Sequence, residues 1–380
     1  MGERPRIFAT CDIGEEALDR LRRQGYELEV YPELQPPPRH LVLEKVRSGI
    51  VALITTLRDR IDEELLAAGA ASGLRVVAQM AVGFDNIDRA AANRYRIPFT
   101  HTADVLTDAT AEFAFFILGA VARKLYPAEV QVRAHQWATW HPYKPWLGDE
   151  VTGRTLAVVG LGRIGRSLVH KAVGFDMDVL CHDPGQVDRA FVDGVRRVIE
   201  ARRREGFSRR AQRIEALPLE EALRRADFVS LHVPLTFPGA AGEPTYHLMD
   251  EARLRSMKPT AYLVNTSRGP VVDEQALARA LRERWIAGAA LDVFEKEPLP
   301  DDSPLRDESL VLNLRLFPHA ASAARATRLS PDPEVGMSGR TVQGVLDVLE
   351  GRYEGDPAQM PYVVNKEAFR DERHEAPAGR

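Results

Sequence analysis

The sequence holds little that crosslinks, anchors or polarises a protein. Its 380 residues include two cysteines, Cys11 and Cys181, far apart in the chain. That excludes a disulfide framework and a cysteine-based metal centre. Residues 1–10 lack the apolar core of a secretory signal. The longest apolar run, 113–122, lies between Glu112 and Arg123. It is too short to span a bilayer and reads as a buried helix. A net charge of −4 gives no basic field to attract nucleic acid. What is present is a 44% hydrophobic composition, enough to bury real cores. The length suggests two or three domains. A cytoplasmic protein with no membrane or nucleic-acid partner is the expectation.

Short β-rich runs alternate with amphipathic stretches from the start. Strands are expected at 6–9, 27–31, 51–55, 75–79 and 98–100, with helices at 15–23, 41–47, 62–68 and 87–94 between them. This alternation is the signature of a parallel sheet covered by helices. A long helical pattern follows over 109–135, then a Trp-, Pro- and Tyr-rich stretch at 136–150 that suits a loop or arm. A second set of strands is expected at 155–159, 178–181, 228–232, 261–265, 287–292 and 310–314. Six is the usual number for a dinucleotide-binding sheet. Residues 341–349 return to a helical pattern. Residues 196–213 contain eight arginines interleaved with acids, which reads as a solvated, helix-rich insertion rather than a polyanion patch. The polar tail 371–380 is expected to be disordered.

Thr155-Leu-Ala-Val-Val-Gly160-Leu-Gly162-Arg163-Ile164-Gly165 runs from an apolar strand through G-x-G-x-x-G into a helical pattern. Asp183 follows 18 residues after Gly165, at the end of the next strand. The context makes the motif a dinucleotide fingerprint. Gly160 permits the tight turn, Gly162 lets the backbone approach a pyrophosphate, and Gly165 allows close helix–strand packing. The pyrophosphate would meet free N–H groups at the positive end of the helix. Asp183 can accept from both adenosine ribose hydroxyls and would repel a 2′-phosphate, so NAD is expected over NADP.

Three polar residues follow later strand ends: Arg268, Glu297 within Asp292-Val-Phe-Glu-Lys-Glu297-Pro298, and His319 within Phe317-Pro318-His319. Ligands of open α/β sheets bind outside the carboxyl ends of the strands, so the three can converge. Reducing a 2-keto acid takes a hydride and a proton. Histidine suits the proton, and a carboxylate such as Glu297 favours its charged form. The Arg268 guanidinium can clamp a substrate carboxylate with two parallel bonds. Asp292 is placed to orient a nicotinamide carboxamide. With an electrophile and an acid already supplied, no metal is called for. His232 reads as a packed or cofactor-adjacent residue rather than a second proton donor.

The chain resembles the D-isomer-specific 2-hydroxyacid dehydrogenase family. Besides the motifs above, the match includes Phe228-Val-Ser-Leu-His-Val233-Pro234-Leu-Thr236, Asn265-Thr266-Ser-Arg268-Gly-Pro-Val-Val-Asp273, Val82-Gly83-Phe-Asp85-Asn86-Ile-Asp88, Ala109-Thr110-Ala-Glu112 and Val363-Val364-Asn365. The resemblance implies two doubly wound parallel-sheet domains, a Rossmann NAD-binding domain inserted in a flavodoxin-like substrate domain. Expected boundaries are 1–121 and 321–370 for the substrate domain and 122–320 for the NAD domain, with a dimer arm near 123–150. The resemblance also implies Arg268, Glu297 and His319 as the catalytic trio. Backbone N–H groups of Val82 and Gly83 would hold the substrate carboxylate. Arg163 and Ile164 would touch pyrophosphate, Val233 and Pro234 would line the adenine side, and Thr110, Thr266 and Asp292 would lie near nicotinamide. A homodimer is implied.

The sequence departs from the family in three places. Ala320-Ala321-Ser322 replaces the usual Ile-Gly after the histidine, and Pro331 and Pro333 interrupt the helical pattern beyond it. The span from Asp183 to Asp227 is long, and 238–244 looks like a small insertion. Residues 105–112 and 137–142 resemble the glyoxylate and hydroxypyruvate reductase branch, with Trp140 on the arm expected either to reach a partner subunit's site or to pack the dimer interface. No regulatory domain is expected after residue 370, unlike the long phosphoglycerate dehydrogenases. Formate dehydrogenases carry an amide where Glu297 stands. The expected reaction is NADH-dependent reduction of a small 2-keto acid. The alternatives are another substrate of D-lactate or D-3-phosphoglycerate type, or an NAD-sensing binding protein.

Overall fold

The computed structural model describes residues 4–143, 146–208, 210–239 and 243–370. The tail expected to be disordered, 371–380, lies outside them, as do the middle of the insertion at 238–244 and parts of the arm and of the arginine-rich stretch. The chain divides into two compact units, one formed by residues up to Leu106 and from Ala323 onward, the other by Thr107–Ser322.

In the first unit, strands β1 (Arg6–Ala9), β2 (Glu27–Val30), β3 (Ala52–Thr55), β4 (Val76–Gln79) and β5 (Phe99–Thr100) form one sheet in the order β2-β1-β3-β4-β5. All pairings are parallel. This is the flavodoxin-like order. Period-two alternation sends Ile7, Ala9, Ile54 and Ala78 to one face, against helices Glu15–Arg23 and Met337–Leu349. Phe8, Leu53 and Val77 face the other way, against helices Arg39–Arg47, Glu63–Ser72 and Arg89–Arg94. The helix from the C-terminal part of the chain thus completes this unit's core. Asn365 fixes the end of the chain to β5, with Oδ1 accepting from Phe99 N–H at 3.0 Å and Nδ2 donating to Ile97 O at 3.1 Å.

Among the described residues the second unit has seven parallel strands where six were expected. They are β6 (Thr155–Val159), β7 (Asp178–His182), β8 (Ile214–Ala216), β9 (Phe228–Leu231), β10 (Tyr262–Asn265), β11 (Gly288–Leu291) and β12 (Leu314–Leu316), in the order β12-β11-β10-β9-β6-β7-β8. Helices Thr107–Ala122 and Arg163–Gly174 cover one face. Helices Leu219–Arg225, Glu251–Ser256 and Glu274–Arg282 cover the other.

Four expectations change. The division falls at Leu106/Thr107 rather than after residue 121, because Ala111, Ala114, Phe115 and Leu118 pack on the second unit's sheet residues Leu156, Val158 and Val264. The second division falls at Ser322/Ala323 rather than after 320. The long helix is two, Thr107–Ala122 and Leu125–Arg133, broken at Lys124 with φ of 50°. Pro127 in the first turn of the second helix explains the break, since a continuous helix would drive its ring into the Arg123 carbonyl. The last strand lies at Leu314–Leu316, not 310–314, where Glu308–Leu310 forms a 3₁₀ turn.

The arginine-rich stretch starts within helix Arg189–Arg204 and ends just before the unforeseen edge strand β8. Its arginines serve local pairs, including Arg196–Asp193 at 2.7 Å, Arg202–Asp176 at 3.3 Å and Arg213–Asp178 at 2.9 Å. The Pro331/Pro333 segment is indeed broken, a loop between helices Arg325–Leu329 and Met337–Leu349. Gly336 and Gly339 let that loop press on the helix, since a Cβ at either would strike Ser330 or Pro331 backbone. Buried Arg340 donates from Nε to Pro333 O at 2.7 Å and stacks on Tyr362.

Candidate active site

Parallel register brings the functional segments together. Leu316, Leu291, Asn265, Leu231, Val159 and His182 form one row across the second sheet. Neighbours in such a row sit about 5 Å apart. Each segment singled out in the sequence starts just beyond this row. Asp183 follows β7, Gly160–Gly165 follow β6, Val233 and Pro234 follow β9, Thr266–Arg268 follow β10, Asp292 follows β11 and His319 follows β12.

Gly160 has φ of 96°, and a Cβ there would meet the His232 carbonyl carbon at 2.6 Å. A Cβ at Gly165 would strike Gly160 O, whereas nothing lies within 4 Å of one at Gly162. The turn is therefore tight on the protein side and open on the other. Helix Arg163–Gly174 starts there with no side-chain cap on its first N–H groups. Exposed Arg163 and half-buried Ile164 lie on its first turn. Asp183 Oδ2 accepts from Leu161 N–H at 2.7 Å and Oδ1 from Gly185 N–H at 3.0 Å, so it also braces the loop. Thr110 and Val233 are buried, and Pro234 is exposed with its carbonyl taken by Thr245 Oγ1. Thr266 is buried and its Oγ1 has no hydrogen-bond partner among the described residues. A buried hydroxyl without a partner costs about 1–3 kcal/mol. An open backbone turn, an uncapped helix start, a carboxylate at the next strand end and an unmatched hydroxyl fit a dinucleotide.

The trio is assembled around one hydrogen bond. His319 Nδ1 donates to Glu297 Oε2 at 2.8 Å, and Glu297 Oε1 accepts from Phe294 N–H at 3.1 Å. Burial acts to raise the Glu297 carboxyl. The bond from His319, that residue's charge, the Phe294 N–H and the Arg268 charge outweigh it, and the carboxyl ends below its ordinary value. Asn265 shapes the arginine's turn, donating to Arg268 O at 2.8 Å and accepting from Ser267 N–H at 3.0 Å.

Asp292 holds the His319 loop. Its Oδ1 accepts from Ala320 N–H at 2.7 Å, its Oδ2 from Ala321 N–H at 2.8 Å, and its carbonyl from His319 N–H at 2.9 Å. These bonds support a left-handed backbone at His319, φ 53°, which costs a non-glycine residue about 1 kcal/mol. The brace was not foreseen, because backbone donors far along the chain leave no mark on the sequence. Burial raises the Asp292 carboxyl despite those two bonds. The side chain is fully enclosed. His232 bonds Ser230 Oγ at 2.8 Å, and packing around its ring pushes it down to about 4, leaving it neutral.

In the first unit, Val82 O lies 3.1 Å from His101 Nδ1 and Gly83 O accepts from Gln79 Nε2 at 2.9 Å. The Val82 and Gly83 N–H groups have no bond among the described residues. Trp140 is 76% exposed. Among the described residues no helix is long and apolar enough to cross a membrane, and no cluster of three or more ligating side chains is placed to hold a metal ion.

A seven-stranded doubly wound sheet with this fingerprint and a paired histidine defines a dinucleotide-dependent dehydrogenase. The family model described as D-isomer specific 2-hydroxyacid dehydrogenase, NAD binding domain, matches residues 115–321. A glyoxylate reductase of Korarchaeum cryptofilum is 45% identical over 326 residues, covering 86% of this chain and 89% of that protein. Another, of Aeropyrum pernix, is 44% identical over 372 residues, covering 97% and 98%. The crystal structure of the TT0316 protein of Thermus thermophilus superposes with a TM-score of 0.77 at 38% identity, covering 94% of this chain and 99% of that one. The chain belongs to the D-isomer specific 2-hydroxyacid dehydrogenase family, and its second unit is the NAD-binding domain.

Proposed function

We propose that the protein reduces glyoxylate, and the slightly larger hydroxypyruvate, to the corresponding 2-hydroxy acid with NADH. The observation that carries this reading is the 2.8 Å His319–Glu297 pair with Arg268 acting on the same carboxylate, at the sheet edge where the nucleotide loop opens. The two glyoxylate reductases above match 86% and 97% of the chain, which favours the substrate.

Bound NADH supplies a hydride for the C2 carbon. The chain does the rest. The Arg268 guanidinium holds the substrate carboxylate and draws electron density from the C2 carbonyl. Imidazolium at His319 gives its Nε2 proton to the carbonyl oxygen as the hydride arrives, leaving neutral imidazole and the 2-hydroxy acid. Glu297 keeps Nδ1 protonated and the ring aimed. Asp183 accepts the ribose hydroxyls, Gly162, Arg163 and Ile164 meet pyrophosphate, Val233 and Pro234 flank adenine, and Thr266, with Thr110 and Asp292 nearby, faces nicotinamide.

The working form is a cytoplasmic homodimer. Exposed Phe116, Leu125, Tyr126, Val130 and Val132 on two consecutive helices supply its apolar face, and Trp140 on the arm reaches the partner's substrate. The test is NADH oxidation with glyoxylate, hydroxypyruvate, pyruvate and longer 2-keto acids. The highest kcat/KM is expected for the first two. No turnover with any 2-keto acid would remove the reading.

A further inference from the structure

Behind the His319–Glu297 pair two acidic side chains bind each other's backbone. Glu274 opens helix Glu274–Arg282, shortly after Arg268 in the chain, and Glu295 lies two residues before Glu297. Glu274 N–H donates to Glu295 Oε1 at 3.1 Å, and Glu295 N–H donates to Glu274 Oε1 at 2.7 Å. The same Glu295 oxygen lies 3.1 Å from His247 Nε2, and His247 Nδ1 lies 3.9 Å from Asp273 Oδ2. Glu274 is only 9% exposed. The two segments meet again at Gly269, where a Cβ would strike the Phe294 carbonyl.

Two consecutive N–H groups of the loop thus have different jobs. Phe294 N–H holds the Glu297 carboxylate, and Glu295 N–H is held by Glu274. A rotation of the 294–295 backbone would move both at once. Burying the Glu274 carboxylate is costly, while its partner Glu295 stays exposed. Burial, and the charges of Glu295 and Glu297, raise the Glu274 carboxyl, while the Glu295 N–H lowers it.

We infer that Glu274 and Glu295 are positioning residues for the reduction: their reciprocal backbone clamp ties the helix that follows Arg268 to the loop that carries Glu297, and so keeps the carboxylate in register with His319. The clamp acts through Glu297 and touches neither substrate nor cofactor. It rests on the reading of His319 as proton donor.

The experiment compares Glu274→Gln, Glu274→Ala, Glu295→Gln, Glu295→Ala and His319→Ala with the parent enzyme in steady-state glyoxylate reduction across pH, with melting temperatures alongside. An amide oxygen still accepts the backbone N–H, so both Gln variants should keep most of the parent kcat. Both Ala variants should lose at least tenfold in kcat with little change in the KM for NADH. In the Ala variants the acid decline of kcat/KM should begin at higher pH, because a displaced Glu297 loses the His319 bond and the Phe294 N–H that hold its carboxyl below its ordinary value. If either Ala variant fails to fold, the other and the pH profiles of the Gln variants decide. Parent-like kcat and pH profile in a folded Ala variant, whether or not its melting temperature falls, would overturn the clamp. So would Gln variants as impaired as the Ala ones. An active His319→Ala would instead remove the proton-donor reading, and the clamp with it.

Discussion

His319 Nδ1 lies 2.8 Å from Glu297 Oε2 although 22 residues separate them. The bond engages Nδ1 and leaves proton exchange to Nε2. Replacing His319 with Ala should lower kcat for keto-acid reduction on the order of 10²- to 10⁴-fold, the range for losing a general acid. The KM for NADH should stay near the parent value, since the nucleotide loop is untouched. Stopped-flow binding of NADH beside steady-state kinetics checks both. A parent-like kcat would sink the assignment.

Asp183 joins two tasks, bracing Leu161 N–H and presenting negative charge at the ribose end of the fingerprint. The parent enzyme should oxidise NADH in strong preference to NADPH. Asp183→Ala should raise the KM for NADH about tenfold, the loss of roughly one charged hydrogen bond, and narrow the preference. Kinetics with both cofactors read this directly, and an NADPH-preferring parent would contradict the charge argument.

Gly165 has no room for a side chain, because a Cβ would enter the Gly160 carbonyl. Gly165→Ala should destabilise by about 1–3 kcal/mol through overpacking and weaken NADH binding by displacing the turn. Gly162→Ala meets nothing within 4 Å in the protein, so it should melt like the parent yet bind NADH less tightly. Thermal melts with and without NADH separate the two effects.

Glu367 ties the C-terminal segment to helix Arg89–Arg94 through Arg89 at 2.8 Å and Asn93 at 2.9 Å. The bond from Arg89, against a smaller opposing burial effect and with help from Asn93, holds its carboxyl down at about 2. A depressed carboxyl contributes stability that is present above its unfolded value, about 4.3, and is lost as pH falls through the folded one. The melting temperature of the parent should therefore exceed that of Glu367→Gln at pH 6, and the two curves should converge between about pH 4.3 and about 2. The pair is half exposed, so the gap should be small and shrink in salt. A constant gap down to pH 2 would contradict the linkage.

Val132 and Tyr126 stand more than half exposed on helix Leu125–Arg133. A charge placed there should not disturb the fold but should split an assembly that buries this face. Val132→Glu should sediment as a monomer where the parent sediments as a dimer, with kcat reduced if the arm serves a neighbouring site. A monomeric parent would end the dimer reading.

Much of this was legible in the sequence because the signals are local. Helix Glu15–Arg23 and strands Arg6–Ala9 and Thr155–Val159 fall where their apolar periods put them. The fingerprint declared itself because a tight turn, a close backbone approach and a close packing contact each demand glycine within six residues. The misplaced last strand and the missed Ile214–Ala216 are short edge strands, where pairing with one neighbour leaves a weak pattern. The break at Lys124 was visible in Pro127, but the surrounding apolar run masked it.

By itself the sequence determined the kinds of chemistry available, namely a dinucleotide turn, a guanidinium, an acid and an imidazole, each just past a predicted strand. Residue type and spacing carry that much because strand ends and turns are local events. Only the tertiary structure decided which groups act on one another. The Asp292 brace under His319 and the Glu274–Glu295 exchange both run from side chains to distant backbone N–H groups. A backbone donor is the same at every residue, so its partner is chosen by the register of seven strands rather than by any pattern of side chains.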